Sequence, residues 1–163
     1  MSPRPCLDLA RLEGRLLNCP WGKDRKELGV GSIDTIDGMK RAEARILRRS
    51  GVRTTEKLLK RAGTRSGRRE LATTTGLNER QILDWVNRAD LMRVKGIGEE
   101  YSDLLEAAGV ETCKELRNRN PQSLLVKMTQ INSKKRLVRR LPTELMVKRW
   151  VDHAGDLPPV VSH

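Results

Sequence analysis

Phenylalanine is absent from the chain, and the other aromatics are few: one Tyr and three Trp in 163 residues. β-Sandwiches and barrels draw on aromatic and β-branched residues, so this scarcity argues against an all-β fold. Cysteine is scarce too. Cys6, Cys19 and Cys113 are odd in number and show no C-x-x-C spacing. With only His153 and His163 beside them, they fit neither a zinc site nor a disulfide framework. Reduced thiols in a cytoplasmic protein are expected. No apolar run approaches the ~18 residues of a membrane span, so no membrane partner is expected. The first residues, MSPRPCLDLARLEGRLLNCPWGK, lack the long apolar stretch of a secretory signal.

Positive charge is abundant. Lys and Arg total 33 against 21 Asp and Glu, a formal net charge of +12. Such an excess speeds encounter with polyanions, of which nucleic acid is the commonest.

The chain repeats itself. At an offset of 58, Gly38 matches Gly96, Leu47 matches Leu105, Gly51-Val52 match Gly109-Val110, Thr54 matches Thr112 and Leu58 matches Leu116. Asp84-Trp-Val-Asn-Arg-Ala89 matches Arg149-Trp-Val-Asp-His-Ala154 at 65, so the second copy carries seven extra residues. Both copies read as short helices. Tyr101, Leu104, Leu105 and Ala108 lie at i, i+3, i+4, i+7, one helical face. Gly109 sits where a left-handed C-terminal cap is expected, and Thr112-Cys-Lys-Glu115 fits a capping box. Asn78-Glu-Arg-Gln81 starts a helix whose Ile82, Trp85, Val86 and Ala89 share a face. Leu9, Leu12 and Leu16 mark one more helix near the N-terminus, ended near Pro20-Trp-Gly22.

Val94-Lys-Gly-Ile-Gly98 joins two helical segments, and its apolar-x-Gly-apolar-Gly pattern resembles the turn of helix-hairpin-helix proteins. Two glycines permit a tight turn, and the following helix offers free amides and its positive dipole end to a phosphate. The resemblance implies sequence-independent binding of nucleic-acid backbones, usually duplex DNA. Over positions 33–161 the repeat is similar to an uncharacterised, mainly bacterial domain-of-unknown-function family of two fused helix-hairpin-helix units. The strongest stretch is 82–101, supported by Leu137-Val-Arg-Arg-Leu-Pro142. The expected fold is therefore all-α: two tandem five-helix helix-hairpin-helix (SAM-like) repeats over 32–90 and 91–156, an N-terminal extension (1–31) and a C-terminal tail (157–163).

Two features depart from that pattern. The first turn reads Gly38-Met-Lys40, losing its second glycine; a Lys there is strained if the position needs a positive φ. The second turn is followed by Glu99-Glu100, whose carboxylates repel phosphate.

The copies are oppositely charged, +4 over 36–59 and −3 over 94–117. Arg41, Arg45 and Arg48 share a face in the first; Glu99, Asp103 and Glu106 occupy the same places in the second. Further basic residues stand at Arg65, Arg68 and Arg69 and at Lys134, Lys135, Arg136, Arg139 and Arg140. On a helix, Lys135, Arg136, Arg139 and Arg140 would share one side. The expected function is non-enzymatic binding of nucleic acid, duplex DNA preferred and RNA an alternative. Lys40, Arg41, Arg45, Arg48 and the other basic clusters would supply charge, and Gly96, Ile97 and Gly98 amides. The alternative is a protein-interaction or scaffold module, with the basic face of one molecule meeting Glu99, Asp103 and Glu106 of another head to tail. No catalytic triad, phosphate loop or dinucleotide motif is present, so no enzyme activity or cofactor is expected.

Overall fold

Most helices open on polar side-chain caps in the computed structural model, which describes residues 31–163. A short 3-10 turn, Ile33–Thr35, precedes eight α-helices. These are α1 (Arg41–Arg49), α2 (Thr55–Ala62), α3 (Arg65–Thr75), α4 (Glu79–Leu91), α5 (Glu99–Ala107), α6 (Cys113–Leu116), α7 (Pro121–Lys135) and α8 (Glu144–Asp156). The side chains of Thr54, Thr64, Asn78, Thr112, Asn120 and Thr143 each accept a first-turn amide of the helix that follows, satisfying a donor the helix itself cannot. Among the described residues no strand forms; a lone antiparallel bridge joins Ser32 and Thr54. The protein is all-α. The helix expected around Leu9, Leu12 and Leu16 lies outside the described residues, as do Cys6 and Cys19.

The apolar faces close over two cores. Ile33, Leu47, Leu58, Leu71, Ile82 and Trp85 fill the first, and Leu104, Leu105, Leu116, Met128, Val147 and Trp150 the second. Tyr101 packs on Trp150 with ring centroids 5.0 Å apart, a tilted pair. Element spacing follows the sequence offsets. α1 and α5 begin and end 58 residues apart, and α4 and α8 begin and end 65 apart. Val52 N donates to Leu47 O as Val110 N does to Leu105 O, each across a glycine of positive φ, Gly51 or Gly109. The extra length of the second half falls in the longer α7 and in the 136–143 segment.

α1 and α5 differ from the rest in having no side-chain cap, and each follows a glycine turn. Gly38 (φ 75°) and Gly96 (φ 91°) take the left-handed conformation. Neither can carry a side chain freely: a Cβ would stand 2.7 Å from Arg88 Nη1 at Gly38, and 3.0 Å from Trp150 Nε1 at Gly96. The second position of the turn is unstrained. Lys40 (φ −74°) and Gly98 (φ −103°) are both extended caps, so the expected strain at Lys40 is absent and a lysine fits there. Lys40 N donates to Glu43 Oε2 at 2.8 Å, half of a capping box.

The tail lies outside the repeated sequence but is built into the fold. Leu157 packs on the second core, Val160 and Val161 on the first. Arg93 Nη1 donates to Pro158 O (3.1 Å), Arg68 Nη2 to Ser162 O (2.7 Å), and Ser162 N to Gly63 O (3.0 Å). A Cβ at Gly63 would collide with the Val160 carbonyl. The tail is thus a strap from one core to the other.

Candidate nucleic-acid interface

The first turn delivers the chain into α1, whose exposed side carries Arg41, Arg45 and Arg48 while Ala44 and Leu47 are buried. Together with Asp34 and Met39 these arginines line a groove of ≈ 540 Å³. Lys40 is exposed at the mouth of the helix. Asp34 pairs with Arg48; both side chains are nearly half exposed, so the pair is worth little and leaves the guanidinium exchangeable. Glu43, the one acid on α1, is held aside by the Lys40 amide and by Gln81 Nε2 (2.7 Å).

The other basic residues fall in different settings. Arg65 and Arg69 are exposed on α3, Arg69 within 3.7 Å of Glu79. Arg68 is 2% exposed and donates to the carbonyls of Ala62, Gly63 and Ser162. It is a strut for the strap, which corrects its expected place in an exposed basic cluster. α7 ends at Lys135, and Arg136 turns left-handed (φ 50°). Asn132 then clamps the next segment, accepting from Val138 N (2.9 Å) and donating to Val138 O (3.1 Å). Lys135, Arg136, Arg139 and Arg140 therefore do not share a helix face. Lys134, Arg136, Arg139 and Arg140 are exposed around the end of α7, and the Arg140 carbonyl accepts from Tyr101 Oη (3.1 Å).

The second turn offers fewer amides than expected. Ile97 is buried, and its N–H donates to Val94 O (3.1 Å). Lys95 N donates to His153 Nδ1 (3.0 Å), which requires that nitrogen unprotonated. Burial and then nearby Lys95 hold His153 below the usual imidazole range. Gly96 and Gly98 are exposed, and Glu99 and Glu100 follow in the first turn of α5. The first turn has Lys40 and Arg41 where the second has Gly98 and Glu99, so its charges suit an anion better.

Two of the four acidic residues on α5 are engaged. Arg88 of α4 reaches Glu106 (2.8 Å) and Asp103 (3.4 Å) from Nε, and donates from Nη1 to Asp37 O in the first turn. These groups and Lys135 line a pocket of ≈ 340 Å³ between the halves. Burial, and next the adjoining Asp37 carboxyl, raise Asp103 to about 7, and the hydrogen bond from Asp103 lowers Asp37. Of the three acids expected to meet a second molecule, only Glu99 is not drawn onto Arg88.

Arg88 is the residue the sequence reading missed. It matches His153 at the offset of 65, and their partners Asp37 and Lys95 match at 58. In each half the last helix is tied to its own glycine turn at the same place, by a guanidinium donor in one and an imidazole acceptor in the other. The repeat alignment held this signal. The buried Asp90–Arg93 pair (2.7 Å) was also missed; Asp90 Oδ2 accepts from Cys113 N (2.8 Å), and Asp90 O from Cys113 Sγ (2.9 Å). Burial pushes the Cys113 thiol well above its usual range, so this cysteine is inert. Among the described residues no His, Cys, Asp and Glu group is placed to hold a metal, and no helix is long and apolar enough to cross a membrane.

An all-helical protein with a groove of exposed arginines is the class that fold and surface define. The family model described as Domain of unknown function (DUF4332) matches residues 37–157, and the chain belongs to that family. No curated protein and no solved structure matches it significantly.

Proposed function

We propose that this protein is a non-enzymatic, sequence-independent binder of nucleic-acid backbones, duplex DNA in preference to RNA, built from two tandem helix-hairpin-helix units. One observation carries the reading. Three exposed arginines at i, i+4 and i+7 of α1 line one groove, directly after a left-handed glycine turn and an exposed lysine. Their side chains suit phosphate oxygens at successive positions along a strand, and bidentate guanidinium–phosphate bonds are among the stronger charge-assisted contacts. Gly38, Lys40, Arg41, Arg45 and Arg48 form the receptor, and Lys134, Arg136, Arg139 and Arg140 add charge elsewhere. Gly96 and Gly98 serve the second turn, where Glu99 and Glu100 disfavour an anion. With four aromatics in the chain and both Trp85 and Trp150 buried, base stacking contributes little, which favours duplex over single strands.

Fluorescence anisotropy with duplex DNA, single-stranded DNA and duplex RNA over a salt series tests this. Four phosphate contacts give a log–log slope of about −3.5, and six to eight give about −5 to −7. Arg41→Glu/Arg45→Glu should abolish binding with the melting temperature unchanged. Absence of binding at low salt, or binding without a salt slope, refutes the proposal.

A further inference from the structure

A further cavity, of ≈ 550 Å³, lies away from both glycine turns where α3, the start of α4 and the end of the strap meet. Arg65, Arg68 and Arg80 line it together with Leu83 and His163. Its size falls within the range of small-ligand sites.

The charge balance in this cavity is unusual. Arg68 is 2% exposed, yet no carboxylate among the described residues lies within 4.0 Å of it. Its partners are three neutral carbonyls, which satisfy donors but bring no negative charge. Burial pulls Arg68 below the ordinary guanidinium range, and the charge of Glu79, more than 4.0 Å away, does not make this good. The one acid lining the cavity, Glu79, is drawn toward Arg69. Arg65 and Arg80 are exposed and form no salt bridge among the described residues, so they can close on a ligand. Arg68 is a fixed positive wall because its Nη atoms are already anchored.

We propose that this cavity binds a phosphomonoester carried on an apolar or flat body, with Arg65 and Arg80 on the phosphate, the buried charge of Arg68 behind them and Leu83 against the body. A dianionic phosphate matches the surplus of cations, and guanidinium forks pair with its oxygens two at a time. Two sources share this chemistry: a free mononucleotide, and the 5′-phosphate end of a nucleic-acid strand. The site is separate from the α1 groove and does not rest on duplex binding there.

Isothermal titration of the full chain tests the proposal with AMP, adenosine, inorganic phosphate and a short single strand bearing a 5′-phosphate or a 5′-hydroxyl. AMP should bind one to one, with adenosine and inorganic phosphate each weaker by about tenfold or more. A free-nucleotide site prefers AMP, whereas a strand-end site prefers the 5′-phosphorylated oligonucleotide over both AMP and its 5′-hydroxyl twin; either result supports the proposal. Arg65→Ala/Arg80→Ala, at two exposed positions, should cut binding by about tenfold or more with an unchanged melting temperature. Leu83→Trp, which fills the cavity, should do likewise. Arg41→Glu/Arg45→Glu should lose duplex DNA and keep AMP, separating the two sites. The proposal is overturned if no phosphomonoester binds at millimolar concentration, if adenosine or inorganic phosphate binds as tightly as AMP and no strand end is preferred, or if Arg65→Ala/Arg80→Ala leaves binding untouched.

Discussion

Substituting Asp103 by Asn probes the joint between the halves most directly. Asp103 is one-fifth exposed, and its carboxyl is raised to about 7 by burial and by the Asp37 carboxyl beside it. In the unfolded chain it returns to the usual carboxylate range, near 3.8. Between those values the folded state holds a proton that the unfolded state has released. Stability is therefore highest below the unfolded value and falls as pH rises through about 7. Each pH unit inside that window is worth about 1.4 kcal/mol. Going from pH 5 to pH 8 crosses two such units, on the order of 2–3 kcal/mol. Asp37 shifts the opposite way, but it is ionised in both folded and unfolded states throughout this range and does not offset the change. For a chain of this size that is a drop of about 5–10 °C in Tm. The carboxamide introduced by Asp103→Asn keeps a donor toward Asp37 and cannot ionise. The difference in Tm between Asp103→Asn and wild type, followed by calorimetry from pH 5 to pH 8, should rise with pH and favour the variant at pH 8. The comparison cancels other titrating groups, including Asp84, which burial also raises. A difference that stays flat over this range refutes the shared-proton account of the joint.

Three further outcomes follow from the geometry. Gly38→Ala and Gly96→Ala should each cost about 1–3 kcal/mol in urea denaturation, because positive φ alone costs about 1–2 kcal/mol and the new Cβ meets Arg88 or Trp150. Gly98→Ala, extended and facing open space, should cost under about 0.5 kcal/mol; equal losses at all three would contradict the turn geometry. Arg93→Ala strands the buried Asp90 carboxylate and should cost about 3–5 kcal/mol, with Asp90→Asn/Arg93→Met recovering much of it in the same denaturation assay. His153 is held neutral to accept the Lys95 amide, so the unfolded state takes up a proton first as pH falls below 6.5. Its share of stability is present above 6.5 and lost as pH falls through its lowered folded value; the imidazole should titrate below the usual range by NMR, and a normal titration would contradict the hydrogen bond.

Glycine spacing and apolar periodicity made the helical class readable in advance, although eight α-helices and one 3-10 turn stand among the described residues where five helices per repeat were expected. The Gly38 and Gly96 turns, the Gly51 and Gly109 stops and the Asn78 and Thr112 caps act within a few residues of themselves, so local sequence specifies them. Even there the reading placed the strain on Lys40, when the left-handed residue is Gly38. The basic face of α1 was legible for the same local reason. What escaped depends on partners distant in the chain. Nothing near Arg68 announces that it will be buried by a carbonyl 94 residues away, and nothing near Lys135 announces that its helix stops there because Asn132 captures Val138. Asp103 and Glu106 read as a free acidic face until Arg88, on the preceding helix, arrives between them.

The strap has a consequence for the order of assembly. During synthesis the helices of the first half emerge long before residues 157–163, yet Val160 and Val161 cover part of that half's apolar interior. Until then its surface stays partly open and Arg68 lacks one of its acceptors. The first half to be made is thus among the last to be finished, and docking of the strap is expected to be a late, long-range event in folding.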